Sequence, residues 1–192
     1  MMAAASELDP RIERSRRVIA EAAIAEMAEV GYGSMTIEGV AKRAGVSKAT
    51  IYRQWKNKLD VVAGALDSLK TEVAIDESAP PRVRVAQLLT WLANFLGDES
   101  NPAAACMPML VSAAQYDPAV REFHHRFTNE RRQVLIDILI DGQARGDFAG
   151  DLDPDLTAEL LVGPLFYRRL MSGGTFPVED LPALIDAVLG PA

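Results

Sequence analysis

The stretch MTIEGVAKRAGVSKATIYRQWKNKLDVV, residues 35–62, decides the fold of this chain. Ile37 and Ala41 lie on one apolar helical face before Gly45, and Ile51 lies on the apolar side of a second helix that follows. A residue as small as Ala41 lets two helices cross closely, and Gly45 can adopt the positive φ of a tight turn. The stretch therefore predicts a helix-turn-helix.

Thr36 and Ser47 each precede one of these helices and are residue types that cap helix N-termini. In a helix-turn-helix, the second helix enters the major groove of DNA by its N-terminal half. We therefore predict DNA contacts from that helix and from the starts of its neighbours. The predicted contacts are Thr36, Ser47, Lys48, Ala49, Thr50, Tyr52, Arg53, Gln54 and Lys58.

These side chains differ in what they can recognise. Lys48 is the leading candidate for a base edge, and Gln54 can offer a bidentate amide. Tyr52 can donate to a phosphate, while Thr36 and Lys58 begin helices whose free N–H groups favour a phosphate. Spacing alone leaves a structural alternative open, in which the same residues are only helix caps, core or solvated surface.

The charge of the chain is unevenly distributed. The formal net charge is -7, but residues 1–60 hold ten basic and eight acidic residues, a balance of +2, which leaves -9 for residues 61–192. Six basic residues and no acidic one lie between Lys42 and Lys58. Because salt screens each charge over about 8 Å, an acidic body does not prevent a local basic face from binding DNA.

The rest of the chain also has helical periodicity. A first helix is predicted from Pro10 to Val30, stopped by Gly31, and a fourth from Lys58 to Ile75, followed by a break at DESAPPR. Five later helices are predicted at Val83–Leu96, Ala103–Gln115, Pro118–Arg145, Asp155–Met171 and Val178–Leu189. No alternating β pattern or hairpin signal is present. The predicted fold is all-α.

Several function classes lack their sequence signals. No nucleophile elbow, phosphate-binding glycine loop or zinc-protease motif is present, so we expect no enzyme and no cofactor. Cys106 is the single cysteine, and the adjacent His124 and His125 cannot both chelate one ion without further ligands, so we expect no metal. No stretch approaches about 18 uncharged apolar residues, and no secretion signal opens the chain, so we expect a cytoplasmic protein.

Residues 35–62 closely resemble the DNA-binding signature of the tetracycline-repressor (TetR) family of transcriptional regulators. The matching features are a Thr that opens the second helix, Ala-Gly-Val-Ser, Thr-Ile-Tyr, and Lys58 followed by Leu59. Arg16 to Gly31 and Tyr32 resemble the family's first helix and its exit, so the likeness covers about residues 14–66. Gly39 inside the second helix and Trp55 in place of Phe depart from the family pattern.

The resemblance implies a homodimer of nine or ten helices per chain that binds a palindromic operator as a repressor and is released by a small molecule. It implies a DNA-binding domain over residues 1–57 and a ligand-binding and dimerisation domain over residues 58–192, with the fourth helix as the lever between them. Thr36, Lys48, Thr50, Tyr52 and Lys58 match positions that contact the operator in the family. A helical protein-interaction module and an activator remain the alternatives.

Candidates for the effector site and the dimer interface come from the C-terminal helices. The effector candidates are Trp91, Phe95, Met107, Met109, Tyr116, Phe123 and Phe127, for which ordinary core packing is the alternative. Residues 163–177, GPLFYRRLMSGGTFP, resemble one regulatory-domain group of the family, and the last two helices are predicted to form the dimer interface. Its candidates are Leu160, Leu161, Leu165, Leu181, Leu184, Ile185 and Val188, with internal core as the alternative.

Overall fold

A computed structural model describes residues 10–68 and 73–191, and every regular element within those ranges is helical. In chain order the α-helices are α1 Pro10–Ser34, α2 Ile37–Ala44, α3 Lys48–Tyr52, α4 Lys58–Ser68, α5 Pro81–Gly97, α6 Pro102–Tyr116, α7 Pro118–Arg145, α8 Pro154–Leu170 and α9 Leu181–Leu189. A short 3-10 helix, Val178–Asp180, precedes α9. The all-α prediction is confirmed.

Most predicted helix boundaries are confirmed within a few residues. The exception is the end of the fourth helix. Residues 69–72 of that predicted helix lie outside the described residues, but Val73 to Asp76 are not helical, so the predicted end at Ile75 is wrong. The N–H of Asp76 donates to the Gln87 side chain at 3.0 Å, and Ile75 packs half-buried against apolar core residues. These tertiary contacts hold the segment out of a helix.

Gly31 interrupts the first helix, as predicted. Its backbone has φ 76° and ψ 158°, and one further turn of helix continues to Ser34. This region of φ favours glycine because a Cβ would clash with the backbone. The kink turns the chain toward α2.

The described residues form two compact units, residues 10–68 with 106–121 and residues 73–105 with 122–191. In the first unit, α1 packs against α2 and α4, and α2 packs against α3. Its largest buried side chains are Ile19, Ile24, Met27, Met35, Val40, Ile51 and Leu110. The Cys106 thiol donates to the Ile24 carbonyl at 3.3 Å, and burial raises its pKa to about 11. This cysteine is a neutral core residue.

In the second unit, α5 packs against α8 and α9, and α8 packs against α9. The core also includes α7, and its fully buried members include Val85, Leu89, Leu135, Leu139, Leu161 and Leu165. Arg84 is buried among them and pairs with Asp141 of α7. The pair compensates a guanidinium that would be costly to bury alone.

Candidate nucleic-acid interface

Both ends of α2 are formed by local signals in the sequence. Thr36 caps its N-terminus, and its hydroxyl oxygen accepts from the Gly39 N–H at 3.0 Å. At the other end Gly45 has φ 66° and ψ 30°. The Val46 N–H donates to the Ala41 carbonyl at 3.0 Å and the Gly45 N–H donates to the Lys42 carbonyl at 3.3 Å, which is a Schellman motif. The predicted turn at Gly45 is confirmed.

Helix α3 is short and begins at its predicted cap. The Ser47 hydroxyl accepts from the Thr50 N–H at 3.2 Å and lies 3.0 Å from the Thr50 hydroxyl. Ile51 is fully buried and Ala41 is 5% exposed, so the inward side of the pair of helices is apolar as predicted. The helix ends at Tyr52, which leaves Trp55 outside it.

Trp55 follows α3 in a turn rather than lying on its inner face. The indole is half-buried, and a Cβ added at Gly64 would lie 2.4 Å from its Nε1. Glycine at this position of α4 therefore makes room for the ring. Although Trp55 lies four residues after Ile51, a spacing that would put both on one helical face, it packs from beyond the end of α3.

The outer side of α3 is polar and exposed. Lys48, Ala49, Tyr52 and Arg53 are exposed, and the Tyr52 side chain is 55% accessible. Thr50 is half-buried. These four exposed residues lie within α3 or directly after it, so they could contact a groove together.

Two of the predicted base-reading side chains are held by other parts of the first unit. The Lys48 ammonium pairs with the Glu38 carboxylate in the first turn of α2. The Gln54 side-chain oxygen accepts from Arg16 Nε at 3.0 Å. Sequence reasoning missed Glu38 and Arg16, because each lies far along the chain from its partner and only the crossing of helices brings them together.

Lys58 has a different environment from the other predicted contacts. Its ammonium donates to the Tyr32 carbonyl at 2.7 Å and lies 4.3 Å from the centre of the Tyr32 ring. Burial lowers the pKa of Lys58 and, with a smaller contribution from Asp117, raises the pKa of Tyr32 to about 12. Lys58 thus ties the start of α4 to the kinked end of α1.

Gly39, which departs from the family pattern, has a packing reason. A Cβ at Gly39 would lie 2.0 Å from Glu26 Oε1, so the carboxylate of α1 occupies the space a side chain would need. Glu26 accepts from Arg43 Nε at 3.2 Å, and Arg43 also pairs with Glu29. Glycine costs about 1 kcal/mol relative to alanine inside a helix. At this position it permits the close contact between α1 and α2.

The predicted effector residues fall in both units. In the second unit the rings of Trp91 and Phe95 stack with centroids 5.3 Å apart, and the centroids of Phe123 and Phe127 are 5.5 Å apart. A shallow groove of about 400 Å³ on this unit includes Trp91 in its lining. In the first unit Met107 is buried, Met109 is half-buried and Tyr116 is 87% exposed.

The predicted dimer residues divide by burial. Leu161, Leu165, Leu181 and Ile185 are buried in the core of the second unit, Leu184 and Val188 pack partly buried against it, and Leu160 is exposed. The buried four belong to the chain's own core and to no exposed face. The large exposed apolar side chains of α8 include Leu156, Leu160 and Tyr167.

Two further observations concern only the described ranges. They contain no group of three or more His, Cys, Asp or Glu side chains that could hold a metal ion. Within them, no helix combines the length and the apolar character needed to cross a membrane.

A capped pair of short helices joined at a left-handed glycine, with a basic exposed second helix, defines a helix-turn-helix DNA-binding protein. Two family models match this chain: "Bacterial regulatory proteins, tetR family" over residues 19–65 and "Tetracyclin repressor-like, C-terminal domain" over residues 84–188. The chain belongs to the TetR family of bacterial transcriptional regulators, which confirms the resemblance drawn from residues 35–62.

Relatives and solved structures agree with this assignment. The HTH-type transcriptional regulator YdeS of Bacillus subtilis (strain 168) is 31% identical over 166 residues, which is 85% of this chain and 82% of that protein. The fold matches a TetR-family regulator from Rhodococcus sp. with a TM-score of 0.75 at 24% identity, covering 92% of this chain and 99% of that one. It also matches FadR from Bacillus subtilis in complex with stearoyl-CoA, with a TM-score of 0.72 at 21% identity, covering 91% and 98%.

Proposed function

We propose that this regulator is a repressor that binds a palindromic operator as a homodimer and is released by a hydrophobic or amphipathic small molecule. The observation that carries the proposal is the exposed outer side of α3, where Lys48, Tyr52 and Arg53 face solvent next to a capped helix start. A single helix of this length reads few base pairs. Two copies spaced about 34 to 36 Å apart would read a palindrome.

Within this proposal the predicted contacts divide into two roles. Lys48, Thr50 and Gln54 are the base-reading candidates, while Tyr52 and Arg53 would hold phosphates. Ser47, Ala49 and Thr36 would contact DNA through backbone N–H groups and small side chains. Lys58, which is tied to the Tyr32 carbonyl, would act mainly by positioning the helix-turn-helix.

The dimer would form through α8 and α9. Leu156, Leu160 and Tyr167 recur at helical spacing on α8, and each is more than half exposed. Leu184 and Val188 on α9 are half-buried and could extend such a surface. Burying a row of large apolar side chains against a symmetry mate would be favourable, at about 1.5 to 3 kcal/mol for each fully buried side chain.

The effector would bind in a ligand-binding domain that comprises residues 58–192. The two aromatic pairs of the second unit, Trp91 with Phe95 and Phe123 with Phe127, suit an acyl or aromatic ligand. The stearoyl-CoA complex of a structural neighbour supports an amphipathic effector. Release requires that the effector prefer a conformer whose recognition helices are badly spaced for DNA, with α4 as the lever.

In this role the chain regulates by binding, carries out no catalysis and acts in the cytoplasm, where bacterial DNA lies. The residues that carry the proposal are groove-facing polar side chains rather than a nucleophile and base.

The proposal is tested by selecting bound sequences from a random duplex library at physiological salt, with the Lys48→Ala, Tyr52→Ala double variant as control. We expect a palindrome that the double variant fails to enrich. A folded, dimeric wild type that enriches no sequence would contradict the proposal and favour a protein-interaction module. Operator affinity measured against a series of acyl chains then tests the effector, and the position of the operator relative to a promoter separates repression from activation.

A further inference from the structure

The ion pair between Lys48 and Glu38 joins the two helices of the helix-turn-helix at the surface. Glu38 lies in the first turn of α2 and Lys48 is the first residue of α3. The Glu38 and Lys48 side chains are 72% and 51% exposed, so the pair lies in water at the start of the helix that would enter the groove. The hydrogen bond to Glu38 raises the pKa of Lys48 above its ordinary value.

We propose that Glu38 is a positioning residue that directs the Lys48 ammonium toward base edges and away from phosphates, and so increases the operator specificity of this regulator. The inference rests on the proposed function, because it takes α3 as the helix that enters the major groove.

The chemistry of the ammonium allows one pair and one base contact together. A lysine ammonium has three N–H donors, and one is enough for the Glu38 carboxylate. A remaining donor can reach O6 or N7 of guanine, the acceptors that lysine reads in the major groove. On the operator Lys48 keeps its partner and gains a base contact.

On unrelated DNA the same pair works against binding. Lysine is a flexible point charge that would otherwise reach the nearest phosphate. A phosphate contact by Lys48 brings the Glu38 carboxylate close to the phosphate backbone, whether the ion pair persists or is broken, and these like charges repel. Glu38 therefore removes one sequence-independent contact while it orders a side chain for reading bases.

The test compares Glu38→Gln with Glu21→Gln. Glu21 pairs with Arg17 within α1 at 3.9 Å, so its replacement also removes one exposed negative charge and frees one cation, but leaves the pair of Lys48 and Glu38 in place. Dissociation constants are measured on the selected operator and on an unrelated duplex of equal length, over a series of salt concentrations. The full dimeric chain is used throughout.

For Glu38→Gln we expect roughly threefold to tenfold tighter binding to the unrelated duplex, with a salt slope steeper by about 0.9, the value for one more phosphate contact. Affinity for the operator should fall or stay unchanged, so the specificity ratio drops by roughly tenfold. Glu21→Gln should move both affinities by one common factor. In a Lys48→Gln background, adding Glu38→Gln should leave the salt slope unchanged.

Equal changes on both duplexes for Glu38→Gln, with the salt slope of the wild type, would overturn the inference and leave Glu38 as one more surface charge. If the wild type selects no operator, the proposed function fails. The slopes on the unrelated duplex still decide the role of Glu38 in that case, since they do not require an operator. A Glu38→Asp variant, which keeps the charge on a shorter arm, should retain part of the specificity ratio.

Discussion

Replacing Gly45 should test the turn of the helix-turn-helix with little interference from packing. The residue has φ 66°, and a Cβ built there would meet no atom within 4 Å. The cost of adding a Cβ therefore comes from the backbone conformation and not from a clash. A non-glycine residue in this region costs about 1 to 2 kcal/mol, and a β-branched residue lies at the upper end of the about 1 to 3 kcal/mol range for strained positions.

We expect Gly45→Val to destabilise the first unit by about 2 to 3 kcal/mol. Gly45→Ala should cost about 0.5 to 1 kcal/mol, because its strain is partly offset by a less flexible unfolded chain. Gly45→Asn should cost least, since asparagine tolerates the left-handed region. The graded order Val, Ala, Asn is the signature of a left-handed turn rather than of lost space.

Urea unfolding followed by tryptophan fluorescence measures these costs. Trp55 belongs to the same unit as Gly45 and Trp91 to the other, so a Trp91→Phe background makes Trp55 the reporter. With a slope of about 1 to 3 kcal/mol per molar urea, the valine variant should shift the midpoint by roughly 1 M. A valine variant as stable as the wild type, or an asparagine variant as unstable as valine, would refute the assigned turn.

Two further outcomes follow from the surroundings of Lys58 and His124. Lys58→Met removes a part-buried charged hydrogen bond to the Tyr32 carbonyl. We expect the free energy of unfolding in urea to fall by about 1 to 2 kcal/mol, and affinity to fall by the same factor on the operator and on an unrelated duplex. A loss confined to the operator would show instead that Lys58 reads bases. Burial, with a smaller contribution from His125, lowers the pKa of His124 from the ordinary 6.5. The stability that depends on neutral His124 is therefore present above pH 6.5 and is lost as pH falls through the lower folded-state pKa. Between about pH 7.5 and about pH 5 the urea midpoint of His124→Asn should drop less than that of the wild type, and an equal drop would contradict this role.

The features that the sequence predicted best are those decided by a few neighbouring residues. The caps at Thr36 and Ser47 and the turn at Gly45 each depend on side-chain or backbone chemistry within about four positions. Their hydrogen bonds appear in the structure as predicted. Proline and glycine set most of the remaining helix boundaries in the same local way.

The features that the sequence missed depend on which elements meet. Ile75 continues an apolar helical pattern, yet its side chain packs into the core of the second unit and the chain leaves the helix. On α8, leucines on two sides of the helix give similar signals, so periodicity did not separate buried Leu161 from exposed Leu160. Only the packing of α5 and α9 against one side decides between them.

The candidate interface combines side chains that have polar partners within the protein with exposed side chains that have no hydrogen bond to the part of the chain that the structure describes. Lys48 and Gln54 have partners on α2 and α1, whereas within the described residues the Tyr52 and Arg53 side chains are exposed and show no hydrogen bond to the rest of the protein. A side chain that is ordered before binding loses less entropy in making a directional contact with a base. A free side chain can follow a phosphate whose position varies little with sequence. Under the proposed function, the paired Lys48 and Gln54 would supply the contacts whose geometry discriminates between bases, and the exposed Tyr52 and Arg53 would supply contacts that need only a hydroxyl or a charge.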